Sequence, residues 1–235
     1  MNVAIDPARV KLNDTGNPAS LSYKFRTRRD LWLRQHIQTI SDLQGGSIKI
    51  LDLGGSVQYW SRVGIPFLKA CGAKVIVLNN VASELKYSEA DDEIFSAGVG
   101  DACNLPQFHD LQFDLVHSNS VIEHVGGWQR MKMFSAEVRR LSKHYYVQTP
   151  YFWFPVDPHR WKFPMIHWMP NSLQARIMQS LPVCYSGKLG DLETAHQYLE
   201  HLQMIDRKQF TYLFPEATLK RERLLGLTKS LVAIA

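Results

Sequence analysis

The 235-residue sequence predicts an α/β fold, a doubly wound and mostly parallel sheet of seven strands with an antiparallel C-terminal strand and helices on both faces. Three observations carry that reading. Short apolar runs ending in glycine, asparagine or aspartate recur through the first two thirds of the chain. Segments with apolar residues three and four apart stand between several of them, and strands alternating with helices build parallel β-α-β units. The last two runs, Ala217 to Leu225 and Lys229 to Ile234, flank Gly226 and can pair antiparallel across it.

In chain order, residues 1–27 carry Pro7, Gly16 and Pro18 among polar residues and predict an irregular N-terminal arm. Residues 28–235 predict a single domain. A helix over 28–44 carries Leu33, Ile37, Ile40 and Gln44 on one stripe and stops at Gly45-Gly46. A first strand, Ile48 to Leu53, ends in Gly54-Gly55-Ser56, and a second, Val75 to Leu78, ends in Asn79-Asn80. A third runs from about Phe95 to Val99 and ends in Gly100-Asp101-Ala102-Cys103. A fourth, Phe113 to Ser118, runs into Asn119-Ser120 and then Glu123-His124. A helix over 128–143 presents Met131, Phe134, Val138 and Leu141, and Tyr145 to Gln148 is a fifth strand. Residues 171–214 read as two helices, the first capped by Asn171 and buried through Leu173, Ile177 and Leu181.

Composition narrows the function classes. Lys plus Arg number 27 against 22 Asp plus Glu, a net charge of +5 spread along the chain, which permits an anionic partner without requiring one. Three widely separated cysteines give neither a disulfide framework nor metal-ligand spacing, and histidines and carboxylates are too scattered along the chain to suggest a metal. No apolar run approaches the ~20 residues of a membrane span, and no leader pattern opens the chain, so a cytoplasmic location is expected.

Open parallel sheets bind ligands at the carboxyl ends of their strands. The residues that this sequence places there are small or hydrogen-bonding: Asp52, Gly54, Gly55 and Ser56; Asn79; Asp101 and Ala102; Ser118 and Asn119. Glycines allow close backbone approach, Asp52 can accept from a ligand amine, Asn79 can bond a ribose hydroxyl, Asp101 can accept from an exocyclic amine, and Ser118 and Asn119 can line the floor. Ser56 and Tyr59 stand where a dinucleotide-binding G-x-G-x-x-G would need glycine, and no phosphate-binding G-x-x-x-x-G-K-[ST] exists.

Taken in order, Ile50-Leu51-Asp52-Leu53-Gly54-Gly55-Ser56, Gly100-Asp101-Ala102 and Phe113-Asp114-Leu115-Val116-His117-Ser118-Asn119-Ser120-Val121-Ile122-Glu123-His124 resemble the class I S-adenosylmethionine-dependent methyltransferases, in particular the small-molecule, bacterial type. The resemblance covers about residues 28–150. It implies a Rossmann-like fold and S-adenosylmethionine as cofactor, with residues 52–56 at its methionine part, Asn79 at its ribose and Asp101 with Ala102 at its adenine. Two positions depart from the family pattern. Ser56 and Gln58 replace the second and third glycines of the first motif, and Asn79 stands where an acidic residue usually grips the ribose.

After the fifth strand the composition changes. Residues 150–170 hold five prolines and three tryptophans, which exclude a regular helix or a solvated linker and predict a rigid loop over the carboxyl edge of the sheet. Residues 150–214 are therefore expected to cover the acceptor side. Methyl transfer to a hydroxyl needs in-line alignment and a proton acceptor. His159 and His124 are the candidate bases, and Tyr151, Asp157 and Arg160 the candidate substrate-binding groups. The expected reaction is O-methylation of a small polar acceptor such as a sugar hydroxyl. Two alternatives are RNA methylation, motivated by Arg26, Arg28, Arg29 and Arg34, and a non-catalytic scaffold, motivated by the altered glycines and Asn79.

Overall fold

The computed structural model describes residues 21–81, 93–160, 162–184 and 187–235, with side chains from 27 onward. Helix α1 spans Leu21–Leu43. It begins within the segment expected to be an irregular arm, so the boundary at 27 moves back; residues 1–20 lie outside the described residues. Leu33, Ile37 and Ile40 form its buried stripe, while Gln44, beyond the helix, is exposed and Ser41 takes the inward place. Gly45 and Gly46 end the helix with φ of 75° and 89°, the left-handed backbone that a helix terminus needs.

Strand β1 (Ile48–Leu53) leads into α2 (Val57–Ala70), whose N-cap Ser56 accepts a hydrogen bond from the Tyr59 amide. Gly64 breaks the helical φ/ψ pattern of α2 just before Pro66, which has no amide hydrogen to give. Then follow β2 (Ala73–Asn79), β3 (Phe95–Val99), β4 (Leu115–Asn119), a single 3-10 turn at Ile122–His124, α3 (Trp128–Leu141) and β5 (Tyr145–Pro150). The stripe Met131, Phe134, Val138 and Leu141 of α3 is buried as its spacing predicts.

The C-terminal cover holds three helices where two are expected: α4 (Asn171–Ser180), α5 (Leu192–His201) and α6 (Arg207–Leu213). The inward face of α4 also differs. Gln174, Ala175 and Met178 are buried, whereas Leu173 and Leu181 are 44% and 46% exposed. Pro170 occupies the N-cap without a side-chain bond, so Asn171 is the first helical residue and not the cap. Strands β6 (Thr218–Leu224) and β7 (Leu227–Ile234) form the hairpin across Leu225 and Gly226, both with positive φ as a tight turn of this hand requires.

The strand order is β3-β2-β1-β4-β5-β7-β6. Strands β1 to β5 run parallel, and β7 is inserted antiparallel between β5 and β6. Leu33, Ile37, Trp60 and Val63 pack on one face of this sheet and Phe134, Val138, Phe210 and Leu213 on the other. A third cluster, with Ile166, Ala175, Met178 and Leu199, holds the C-terminal cover together. The chain reverses direction across the sheet between β1 and β4, the switch point where doubly wound sheets open a crevice.

Candidate active site

The tips of β1, β2 and β3 and the turn after β4 converge on one cavity of about 410 Å³. Gly54, Asn79, Asp101, Ala102 and His124 line it, together with Val121 and Arg130. Gly54 has φ 71°, and a Cβ there would stand 2.5 Å from Val121 Cγ2, so this turn has no room for a side chain. Asn79 donates its amide to the Gly55 carbonyl at 2.9 Å. Asp101 receives both terminal nitrogens of Arg130, at 2.8 and 2.9 Å. Burial alone would raise the Asp101 carboxyl, but the hydrogen bonds from Arg130 and from the Cys103 amide outweigh it and hold it below its ordinary value.

Of the nine residues expected at this ligand, five do not line the cavity. Asp52 is fully buried: Oδ2 accepts from Trp60 Nε1 and Oδ1 from His117 Nδ1, both at 2.7 Å. It has no surface to offer a ligand amine. A Cβ on Gly55 would fall 1.6 Å from Asp52 Oδ2, so the second glycine makes room for this carboxylate. Ser118 is also fully buried and donates to the Leu53 carbonyl. Ser56 acts as the cap of α2 and does not line the cavity. Asp52 and Ser118 lie within buried strand ends, one on each face of the sheet, and Ser56 belongs to the start of α2.

A second cavity, of about 310 Å³, is lined by Arg29, Tyr59, Arg62, Asn119, Ser120, Pro158 and His159. Here Arg29 Nη1 donates to Asn119 Oδ1 at 3.3 Å, and Arg62 lies over the Tyr59 ring while paired with Asp30. Asn119 therefore lies at this second cavity and not on the floor of the first. Ser120 adopts φ 58°, an unusual backbone state for serine, and donates its hydroxyl to Gln148. Tyr59 continues the Asp52 chain, since its hydroxyl lies 3.1 Å from His117 Nε2. Burial pushes that phenol well above its ordinary pKa.

The two cavities meet at a histidine pair. His124 lines the first and His159 the second, and their Nε2 atoms are 3.0 Å apart. His159 Nδ1 lies 2.9 Å from Asp157 Oδ1, which also accepts from the His159 amide. Asp157 is fully buried and accepts from Arg160 at 2.7 Å. Burial alone would raise this carboxyl, but the His159 bonds and the Arg160 charge hold it well below the carboxylate range. Burial lowers His124 to about 4, with His159 adding to the effect, and raises the neighbouring Glu123 to about 7.

Two comparisons bear on this arrangement. Residues 55–144 match the family model of the methyltransferase domain. Over that stretch the chain is similar to a methyltransferase domain. The CurJ carbon methyltransferase has the same fold, with TM-score 0.58, 14% identity, and 98% of this chain and 61% of that one covered. The PH0226 protein of Pyrococcus horikoshii OT3 gives TM-score 0.54 and 18% identity, over 96% and 94% of the two chains. A Haemonchus contortus phosphoethanolamine N-methyltransferase solved with S-adenosylhomocysteine gives TM-score 0.49 and 13% identity, covering 74% of this chain. This chain spans only 35% of that enzyme's length and 47% of a Galdieria sulphuraria methyltransferase. No curated protein matches the sequence.

S-adenosylmethionine is the cofactor that the sequence resemblance implies, and the first cavity fits it on grounds of its own. The backbone at Gly54 is bare, Asn79 keeps its carbonyl oxygen uncommitted among the described residues, and Ala102 leaves room beside Asp101. The expected acceptor side differs as well. Arg160 is 3% exposed and joins Asp157 to Gln174, so it braces the loop and meets no substrate. Asp157, fully buried, positions His159 and is likewise no substrate contact. Tyr151 lines a separate groove with Trp153, Asp206 and Arg207. The loop aromatics Phe152, Trp153 and Trp168 pack on one another and on His167, and do not line the His159 cavity.

The sequence assigns no role to Tyr59, His117, Arg130 or Glu123, although His117 and Glu123 lie within the quoted fourth-strand motif. The fold also corrects the expectation that histidines and carboxylates are too scattered to gather: Glu123, His124 and His159 each bring a ligand atom within 4.8 Å of the others. In the basic stretch Arg28 and Arg34 are exposed. Arg28 lies over Trp32 and Arg34 over Phe67, Arg29 turns inward, and the Arg26 side chain lies outside the described residues. No helix among the described residues is long and apolar enough to cross a membrane.

Proposed function

We propose that the protein transfers the methyl group of S-adenosylmethionine to a hydroxyl oxygen of a small polar acceptor, such as a sugar, held in the Arg29–Tyr59–Asn119–His159 cavity. The observation that carries this reading is the meeting of two cavities at the His124–His159 pair, one matching the cofactor side and the other small and polar. At about 310 Å³ the second cavity suits a small molecule, and six of its seven lining residues bring a hydrogen-bonding group.

S-adenosylmethionine supplies an electrophilic methyl on sulfur. The chain's part is to align an oxygen with it, exclude water and take the hydroxyl proton. Asp157 accepts from His159 Nδ1–H and so keeps the lone pair on Nε2, the nitrogen at the junction. Tyr59, Asn119 and Ser120 offer bonds to the remaining acceptor hydroxyls.

The test is transfer of labelled methyl to pools of small hydroxylated acceptors by wild type and His159→Ala. Loss of about 10²–10⁴-fold in kcat with cofactor affinity retained is expected of a general base. Equal rates would overturn the assignment of His159, and labelling confined to amine or carbon acceptors would overturn the oxygen reading.

A further inference from the structure

We propose that Glu123, His124 and His159 form a binding site for one divalent transition-metal ion at the junction of the two cavities. Four observations converge on it. One imidazole nitrogen from each histidine and a Glu123 carboxylate oxygen lie within 4.8 Å of one another. The two Nε2 atoms are 3.0 Å apart, with the rings 83° from coplanar. Two ligands each about 2.1 Å from one ion and at a right angle are separated by about 3.0 Å, so the nitrogens already stand at a chelating distance.

The third observation is Glu123 itself. It is fully buried, Oε2 accepts from Thr149 Oγ1 at 3.1 Å, and Oε1 has no hydrogen-bond partner. A buried carboxylate oxygen left unpaired is costly, and a cation beside it removes that cost. The fourth is the outer support. Asp157 Oδ1 holds His159 Nδ1 while its Oδ2 is fixed by Arg160, the carboxylate–histidine arrangement that orients a metal-binding imidazole and keeps the proton on Nδ1 and off Nε2.

Two imidazoles and one carboxylate select zinc, cobalt, iron or manganese over the all-oxygen preference of magnesium and calcium. Three protein ligands leave open positions, and the flanking cavities place them within reach of solvent or an acceptor. If the acceptor is a hydroxyl, a part of the inference that rests on the function proposed above, one open position takes its oxygen and lowers the pKa of that hydroxyl, whose proton then passes to solvent because His159 Nε2 serves as a ligand and not as the base when the metal is bound. Binding of the metal itself does not depend on that reading.

The experiment uses the full chain, stripped with a chelator and dialysed, and titrated with Co²⁺ alone. The expected result is one Co²⁺ per chain, a visible d–d band, displacement by Zn²⁺, and at least tenfold weaker binding in both Glu123→Gln and His159→Asn. No stoichiometric uptake by wild type, or uptake unchanged in both variants, overturns the site. His159 has a side chain 16% exposed, so His159→Asn keeps the test decisive if the Glu123 variant fails to fold. Methyl-transfer assays separate the two readings. Metal uptake without oxygen methylation leaves the site standing and removes the proposed function. Transfer by a protein that takes up no metal does the reverse.

Discussion

Replacing Asp52 by asparagine separates a ligand-contact role from a buried one. In the wild type both carboxylate oxygens accept at 2.7 Å, one from Trp60 Nε1 and one from His117 Nδ1, with no exposed surface. An asparagine has one acceptor oxygen and one NH₂ group. Whichever way it sits, its NH₂ faces a donor, or His117 changes tautomer and turns its Nε2–H toward the Tyr59 hydroxyl. One charge-assisted bond is weakened and one buried donor is left unpaired, each worth about 1–3 kcal/mol. The expected destabilisation is about 2–4 kcal/mol, which lowers Tm by roughly 5–12 °C in a chain of this size. The assay is thermal and urea unfolding of Asp52→Asn without cofactor, beside calorimetric titration with S-adenosylhomocysteine. A variant as stable as wild type whose affinity for S-adenosylhomocysteine has collapsed would refute the buried role and restore the direct contact.

Three further outcomes follow from particular contacts. Gly54→Ala must hold an alanine at φ 71°, which costs about 1–2 kcal/mol, with its Cβ 2.5 Å from Val121 Cγ2; S-adenosylhomocysteine affinity should fall at least tenfold, and adding Val121→Ala should recover part of it. Met178→Ala should cost about 2–4 kcal/mol and Leu173→Ala less than about 0.5 kcal/mol, since Met178 is buried and Leu173 is 44% exposed; equal urea midpoints would contradict the observed face of α4. His36 is lowered to about 4 from 6.5, chiefly by burial and then by His144, so between those values the unfolded chain binds a proton that the folded chain does not. Stability should therefore be fully present above about pH 6.5 and fall toward pH 4, by about 2 kcal/mol, and His36→Gln should flatten that part of the urea-midpoint profile.

The sheet was legible because its signals are local. Each of the first four apolar runs is followed by a glycine or asparagine, and the α1 and α3 stripes repeat at helical spacing over several turns. Helix α4 misled because it is short and lies under the cover, where Gln174 is buried by its bonds to Arg160 and the Met169 carbonyl while two leucines face outward. Helix α6 is only seven residues long, too short for a periodic pattern to declare itself. The site divides along the same line. Gly54, Asn79, Asp101 and Ala102 share the first cavity because each stands at or just past the end of its strand. The junction of Glu123, His124 and His159 could not be read from spacing, since 35 residues and all of β5 separate the two histidines.

The parity of β1 and β4 carries a consequence for how the two cavities respond to change. Asp52 and His117 are register partners on adjacent parallel strands, and His117 pairs in turn with Tyr146 on β5, so the three side chains form one row on the face covered by α1 and α2. Tyr59 of α2 closes the row by bonding His117, and its other side is a wall of the second cavity. Asn119, two residues after His117 and on the same face, is a wall of that cavity as well. The motif aspartate is thus coupled to the acceptor side through His117 and Tyr59, while its link to the cofactor side is the packing of Gly55 against its carboxylate. A substitution that leaves Gly55 its room but loosens His117, as Asp52→Asn does, should raise the acceptor KM more than it weakens S-adenosylhomocysteine binding. Tyr59→Phe, which removes the terminal hydroxyl and leaves Asp52 and Gly55 untouched, should show the same asymmetry with a smaller loss in Tm.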